Sequence, residues 1–282
     1  MSIIKWAGGK RHIFPLFKVL YDIANPKRVI DLFCGSLAIP LTLNCEEFIF
    51  NDINTGLISL YKNVKQNLTD ICFECECLNR EEHDNKESFN NLRAIYNKEP
   101  RDTIKSSAIF LYLNKRCFNG LYRENAKGKY NVPYRKYNSD IYDKEALKTL
   151  HKFLNEKTVE IYNSDYKNLD IDYNSSDLVY LDPPYFQSSE SKFTSYSKEK
   201  FGEKEQKELF DFCDMLDKKG VKFILSNSPC DEIKNLYKKF YQFEFYIPRS
   251  MRSGKGKSAV CSDREKPNEI LIWNFCKIDY LD

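Results

Sequence analysis

The stretch DLVYLDPPYFQ, residues 177–187, decides how this chain is read. Leu178, Val179, Tyr180 and Leu181 make a continuous apolar run that stops at Asp182, Pro183, Pro184 and Tyr185. A short run of this kind fits a strand buried on both faces of a parallel sheet. Its ending is chemically specific. A carboxylate and a main-chain carbonyl, aimed at the two hydrogens of a flat exocyclic amine, would draw the nitrogen toward a tetrahedral shape and free a lone pair otherwise delocalised into the ring. Asp182 supplies the carboxylate, the two prolines restrict the backbone, and Tyr185 offers a face on which an aromatic ring can stack. Taken alone, the tetrapeptide fits a rigid loop ended by a core aromatic about as well.

Outward from this point, further β-branched and aromatic runs read as strands at 28–33, 47–51, 159–163, 177–182, 221–226, 243–247 and 269–275. Helical patterns alternate with them near 10–24, 54–66, 199–218 and 230–240. This alternation predicts an α/β fold with a mostly parallel sheet covered on both faces. Residues 56–157 break the rhythm. They read as helices near 87–97, 102–115 and 143–155 around a basic, aromatic stretch, and are expected to form an insert. Ligands of such sheets bind beyond the carboxyl ends of the strands, which brings Asp31, Asp52 and Asp182 to matching tips. An acid at the tip of the second strand usually holds ribose hydroxyls in this class of fold.

The chain has 282 residues, 42% hydrophobic and 30% charged, enough for one domain or a core with one large insert. It lacks a run of about 18 apolar residues and begins without the apolar stretch of a signal peptide, so neither a membrane span nor secretion is expected. Its 10 cysteines then read as reduced cytosolic thiols. Cys72, Cys75, Cys77 and His83 could offer zinc ligands, but a second separated pair is missing, and no metal is expected. Net charge is only +3. Its distribution says more: residues 115–136 hold seven Lys and Arg against one Glu, and residues 249–266 hold six against two acids. The first stretch interleaves Phe118, Tyr122, Tyr130 and Tyr134, with Tyr137 following, and charge mixed with stacking surface is a footprint of nucleic-acid binding.

The motifs KWAGGK (5–10), DLFCGS (31–36), DINTGLISLY (52–61), LNKRCFNGLYREN (113–125), YNVPYRKY (130–137), DPPY, ILSNS (224–228) and NEILI (268–272) follow one another in this order. Together they resemble the S-adenosylmethionine-dependent DNA adenine N6-methyltransferases of the D12 class, and within it the Dam group. The resemblance covers nearly the whole chain. It implies a Rossmann-like methyltransferase core at 1–55 and 158–282, and a mainly helical target-recognition domain with a β-hairpin at 56–157. Trp6, Lys10, Asp31, Phe33, Gly35, Asp52 and Asp165 would form the pocket for S-adenosylmethionine, with Asp52 on the ribose and Asp165 on the cofactor's adenine. Asp182, counted for both pockets, would act with Pro183, Pro184 and Tyr185 on the target adenine. One departure stands out. Where the family carries a second glycine, this chain has Leu37, in FCGSLAIPL.

In the insert, FNGLYREN and YNVPYRKY resemble the two arms of the group's recognition hairpin, with Gly128 and Asn131 suited to its turn. The resemblance assigns Arg123 to reading a guanine, Leu121 and Pro133 to apolar contacts, and Lys5 to the first guanine. Phe118 would wedge into the gap left by a flipped adenine, and Asn119 and Tyr137 would touch phosphate or base. The combination favours 5′-GATC-3′ in duplex DNA. Lys255 and Lys257, in PRSMRSGKGKSAV, would lie over the DNA backbone. The resulting expectation is a cytoplasmic enzyme, nucleoid-associated or in the cytoplasm of a host if viral. It would be monomeric, without a membrane partner, with a separate restriction endonuclease as a candidate partner. Two other readings remain: a DNA-binding homologue in which Leu37 has disabled catalysis, and methylation of cytosine N4 or of an RNA adenine.

Overall fold

The computed structural model describes residues 2–6, 10, 13–137, 139–186, 201–246 and 269–278. Lys255 and Lys257, and the basic loop that contains them, lie outside these residues. Its strands are β1 (Arg28–Asp31), β2 (Glu47–Asn51), β3 (Thr158–Tyr162), β4 (Asp177–Leu181), β5 (Lys222–Asn227), β6 (Tyr241–Phe245) and β7 (Glu269–Trp273). Its helices are α1 (Phe14–Ala24), α2 (Thr55–Gln66), α3 (Leu68–Leu78), α4 (Lys86–Tyr96), α5 (Ile104–Arg116), α6 (Lys144–Glu156), α7 (Glu203–Lys218) and α8 (Asp231–Leu236). Among the described residues the sheet has seven strands, in the order β3-β2-β1-β4-β5-β7-β6. It is mostly parallel, with β7 antiparallel to both β5 and β6. Each strand falls close to its expected bounds; for β4 and β7, buried throughout, a continuous apolar run in a doubly covered sheet leaves little ambiguity. No helix among the described residues is long and apolar enough to cross a membrane.

The described residues divide into two compact units. One takes those up to residue 10 and from 27 to 172; the other takes 13–26 and those from 173 onward. In the first, β1 pairs parallel with β2 and β2 parallel with β3, and α2 to α6 lie in the long crossover between β2 and β3. Side chains cap these helices: the amides of Leu57, Ser88, Ser106 and Ala146 donate to Asn54, Asn85, Thr103 and Asp143. Helix α5 packs against α2, α3 and α4 and is buried almost all round, which a helix tolerates only at the centre of a cluster.

Helix α3 was not expected from the sequence. Asp70, Glu74 and Glu76 alternate with its cysteines and mask the apolar stripe of Ile71, Cys72 and Cys75. Cys72 and Cys75 are buried there as small hydrophobic residues, and burial pushes both thiols up.

In the second unit β4 and β7 are buried at all five positions, β5 is parallel to β4, and β6 forms the outer strand. Phe17 meets Tyr180 edge-on at 5.0 Å and Phe223 meets Phe240 at 4.9 Å. Pro15 in the first turn sets the start of α1, four residues after the sequence pattern begins. Glu205 accepts from the Gly202 amide at 2.9 Å and fixes the start of α7.

Candidate active site

In the first unit the strand tips are stapled by one buried amide. Asn51 Nδ2 donates to the carbonyls of Leu32 and Ser164, both at 3.0 Å, and its Oδ1 accepts from the Ser164 amide at 3.1 Å. Its main-chain carbonyl accepts from Cys34 at 2.8 Å. The loops after β1, β2 and β3 are thus held together by a residue the sequence did not single out. Asp52 follows directly. Its Oδ2 accepts from the Gly35 amide at 3.1 Å and its Oδ1 from the Asn54 amide at 2.9 Å. Burial raises its pKa, and these amides oppose the shift. Tyr61, buried below the turn, donates to the Gly35 carbonyl at 2.6 Å.

Gly35 has φ +44, and a Cβ there would stand 3.0 Å from Trp6 Cδ1, so Trp6 lies against the turn only because glycine occupies the position. Asp31 is buried and accepts from the Phe33 amide at 3.3 Å; Lys10 is also buried. The Phe33 ring lies 5.2 Å from that of Tyr166, beside Asp165, whose Oδ1 accepts from the Lys167 amide. The first unit therefore brings Trp6, Gly35 and Asp52 together at one turn and Phe33 near Asp165.

Leu37 takes φ +56 and is fully buried, and its amide donates to the Cys34 carbonyl at 2.9 Å. This left-handed conformation costs leucine roughly 1–2 kcal/mol. The chain keeps a backbone suited to glycine and packs a leucine side chain into the interior.

In the second unit, β4 delivers Asp182 at its carboxyl end. The Ser226 hydroxyl, on β5, donates to Asp182 Oδ1 at 3.3 Å and lies 3.0 Å from the Tyr180 hydroxyl. Pro183 is buried and Pro184 exposed. Tyr185 is half-buried, and its hydroxyl donates to the Glu269 carboxylate at the start of β7. Burial, then the charges of Asp182 and Glu269, push this phenol up and keep it neutral. Just after the tetrapeptide, the Phe186 amide donates to Asn227 Oδ1 at 3.2 Å, and the Phe186 carbonyl accepts from Ser228 Oγ at 2.8 Å. Asn227 is itself held by Gln206 at 2.9 Å. Ser226, Asn227, Ser228 and Glu269 lie in ILSNS and NEILI, whose presence the sequence showed and whose roles it did not.

The two arms of the hairpin lie together in the first unit but form only isolated antiparallel bridges, Cys117 with Tyr134 and Glu124 with Tyr130. Asn119 at φ +58 and Gly120 at φ +63 interrupt the first arm. The turn is built by Asn125, whose carbonyl accepts from Gly128 and whose side chain accepts from Lys127 and Lys129. Asn131 is not in the turn. It stands in the returning arm, where its Oδ1 accepts from Arg123 Nε at 2.7 Å and its carbonyl from Nη2 at 3.3 Å.

Phe118, Asn119, Leu121 and Pro133 are exposed, with Phe118 at 45% and Leu121 at 41%, which sets them apart from core residues. Tyr137 accepts from the Asn119 amide at 3.1 Å, and the Lys5 ammonium lies 4.7 Å from its ring. Tyr130 does not share in the stacking surface expected of the aromatics interleaved with basic residues. It is 2% exposed and packs with Tyr96 and Tyr122 against α5, since its ring finds apolar neighbours and its hydroxyl finds carbonyls.

This sheet with its acid-proline-proline-tyrosine tip is that of an amino-methyltransferase, and the chain belongs to the D12 class of N6 adenine-specific DNA methyltransferases, whose family model matches residues 6–253. Relatives match almost end to end. The chain is 36% identical to "Type II methyltransferase M.MjaIII" of Methanocaldococcus jannaschii, over 96% of this chain and 98% of that protein. It is 33% identical to "Type II methyltransferase M1.LlaDCHI" of Lactococcus lactis subsp. cremoris, over 96% and 94%. It is 27% identical to the "DNA adenine methylase" of Escherichia coli K12, again over 96% and 94%.

Proposed function

We propose that the protein transfers a methyl group from S-adenosylmethionine to N6 of an adenine flipped out of duplex DNA, in the sequence 5′-GATC-3′. The observation that carries this reading is the carboxylate of Asp182, oriented by Ser226 at the tip of β4 and followed by a backbone clamped at Phe186. Asp182 accepts one N6 hydrogen and a main-chain carbonyl of the proline pair the other, which raises the nucleophilicity of the nitrogen. Tyr185 stacks on the base, its ring fixed at the hydroxyl end by Glu269.

The first unit suits S-adenosylmethionine by its donor set. Asp52 at the second strand tip fits ribose hydroxyls, the Phe33 ring with Asp165 fits an adenine, and Trp6, Lys10, Asp31 and Gly35 complete the pocket. When bound, this cofactor supplies a methyl group activated by a sulfonium leaving group, so the chain's task is to position the base and shape its charge.

For recognition, Arg123 reads a guanine through its guanidinium, the commonest specific contact in the major groove. Asn131 fixes the plane of that group. Lys5 and Tyr137 meet the first base pair, Leu121 and Pro133 supply apolar contacts, Asn119 meets the backbone, and Phe118 fills the vacated stack. Lys255 and Lys257 bind phosphates. The enzyme acts as a monomer in the cytoplasm. The names of the first two relatives favour a restriction-modification setting, with the endonuclease on a separate chain.

The experiment is transfer of a labelled methyl from S-adenosylmethionine to two short duplexes, one containing GATC and one with its adenine replaced. Label in the first alone is the expected result. Label in both would discard the sequence assignment, and label in neither would sink the reading.

A further inference from the structure

We propose that Asn114 is a positioning residue for target recognition, clamping the main chain of Lys5 to that of Gly120 and so setting the register between the Lys5 ammonium and the reading arm Leu121–Arg123. Asn114 sits in the last turn of α5 and is 2% exposed. Its Oδ1 accepts from the Lys5 amide at 2.8 Å; its Nδ2 donates to the carbonyls of Lys5 at 2.8 Å and Gly120 at 3.2 Å. One acceptor and two donors are used at once, a set that neither aspartate nor alanine reproduces.

The contact between the two segments is close. A Cβ at Gly120 would stand 2.4 Å from Lys5 Cδ, so the lysine stem lies directly on the arm's backbone. The next residue extends the attachment: Trp6 stacks on Tyr122 at 5.4 Å and rests against the glycine turn at Gly35. Lys5 has a long flexible stem, and a reader of that kind discriminates between bases only if its own backbone is fixed. Asn114 provides that fixation from a rigid helix, without touching DNA or cofactor.

The inference rests on Lys5 being the contact to the first guanine. The test compares kcat/KM on GATC and AATC duplexes for the wild type, N114A, N114D, K5A and the K5A/N114A pair. S-adenosylmethionine affinity is measured by calorimetry and the fold by melting. The preference for GATC is expected to fall at least tenfold in N114A and in the near-isosteric N114D, with cofactor affinity nearly unchanged. In the K5A background, N114A should remove nothing further. An unchanged preference in folded N114A or N114D, or an equal loss in both backgrounds, overturns the inference. Should neither variant fold, G120A, which intrudes on the Lys5 stem, must lower the same preference, and an unchanged value overturns the inference. A wild type without preference for GATC, or a K5A variant that keeps it, shows instead that the underlying reading is wrong, and the inference falls with it.

Discussion

The hydroxyl of Tyr185 donates to the carboxylate of Glu269, which stands only 5% exposed at the first position of β7. A buried carboxylate deprived of a donor is costly, so Y185F is expected to lose about 1–3 kcal/mol of stability. E269Q should lose less, because its amide oxygen still accepts. The pair should be less destabilising than the sum of the two, and urea denaturation of all four proteins measures this coupling. Strict additivity would show that the hydrogen bond contributes nothing. For methyl transfer, Y185F should stay within about tenfold of the wild type while Y185A loses the stacking face, worth roughly 1–3 kcal/mol.

Ser226 donates to Asp182, the group proposed to meet the base. S226A is therefore expected to lower kcat about tenfold with KM unchanged, the pattern of an interaction needed in the transition state alone. D182A should lower it by about 10²–10³-fold, the scale for removing one preorganised polar group. A rise in KM at constant kcat would place Ser226 in binding instead. Single-turnover kinetics separates the two.

Leu37 pits two terms against each other. Its left-handed backbone costs about 1–2 kcal/mol, while truncating a buried leucine costs about 2–5 kcal/mol. The second is larger, so L37G is expected to be less stable than the wild type. The usual order of alanine and glycine should also reverse here, with L37G more stable than L37A by about 1 kcal/mol. Chemical denaturation of both variants checks this.

Arg123 is held by Asn131 across the hairpin. R123A is expected to relax discrimination at one guanine of the site by about 1–3 kcal/mol, and N131A to relax it less at the same base. Initial rates on duplexes with each base of the site changed in turn would show whether both effects fall on one position.

Lys115 has its pKa lowered by burial and then by repulsion from Lys5. A lysine depressed in the folded state costs stability while it is charged, and the cost vanishes as pH rises through its ordinary value. K115M should therefore melt higher than the wild type at pH 7, by about 1–2 °C. The advantage should shrink toward pH 10–11, near the ordinary lysine value. Melting curves at the two pH values test the sign.

What the sequence made legible follows from physical locality. Strands β4, β5 and β7 announced themselves as short apolar runs with their own boundaries, and β3 and β6 by their β-branched and aromatic residues. The acid tips at Asp31, Asp52 and Asp182 followed from their places at the ends of the expected strands. Helix α3 stayed hidden because its acids broke the apolar stripe. Asn51, Asn114, Ser226 and Glu269 stayed hidden for another reason: each acts on main chain or side chains far along the sequence, and a single asparagine, serine or glutamate looks the same in a loop as in a clamp. Tyr130 misled because a tyrosine near lysines has the composition of a nucleic-acid surface whichever way its ring turns.

The two arms of the hairpin are joined to each other only by isolated bridges and side chains, whereas α5 beside them is packed on nearly every face. Their amides should exchange with solvent well before those of α5. The exposed tips at Leu121 and Pro133 can then change without disturbing the helices behind them. On the proposed reading of the hairpin, such an arrangement lets mutation explore new target sequences at small risk to folding, so that a lineage of these enzymes can diversify in what it marks while the catalytic framework stays the same.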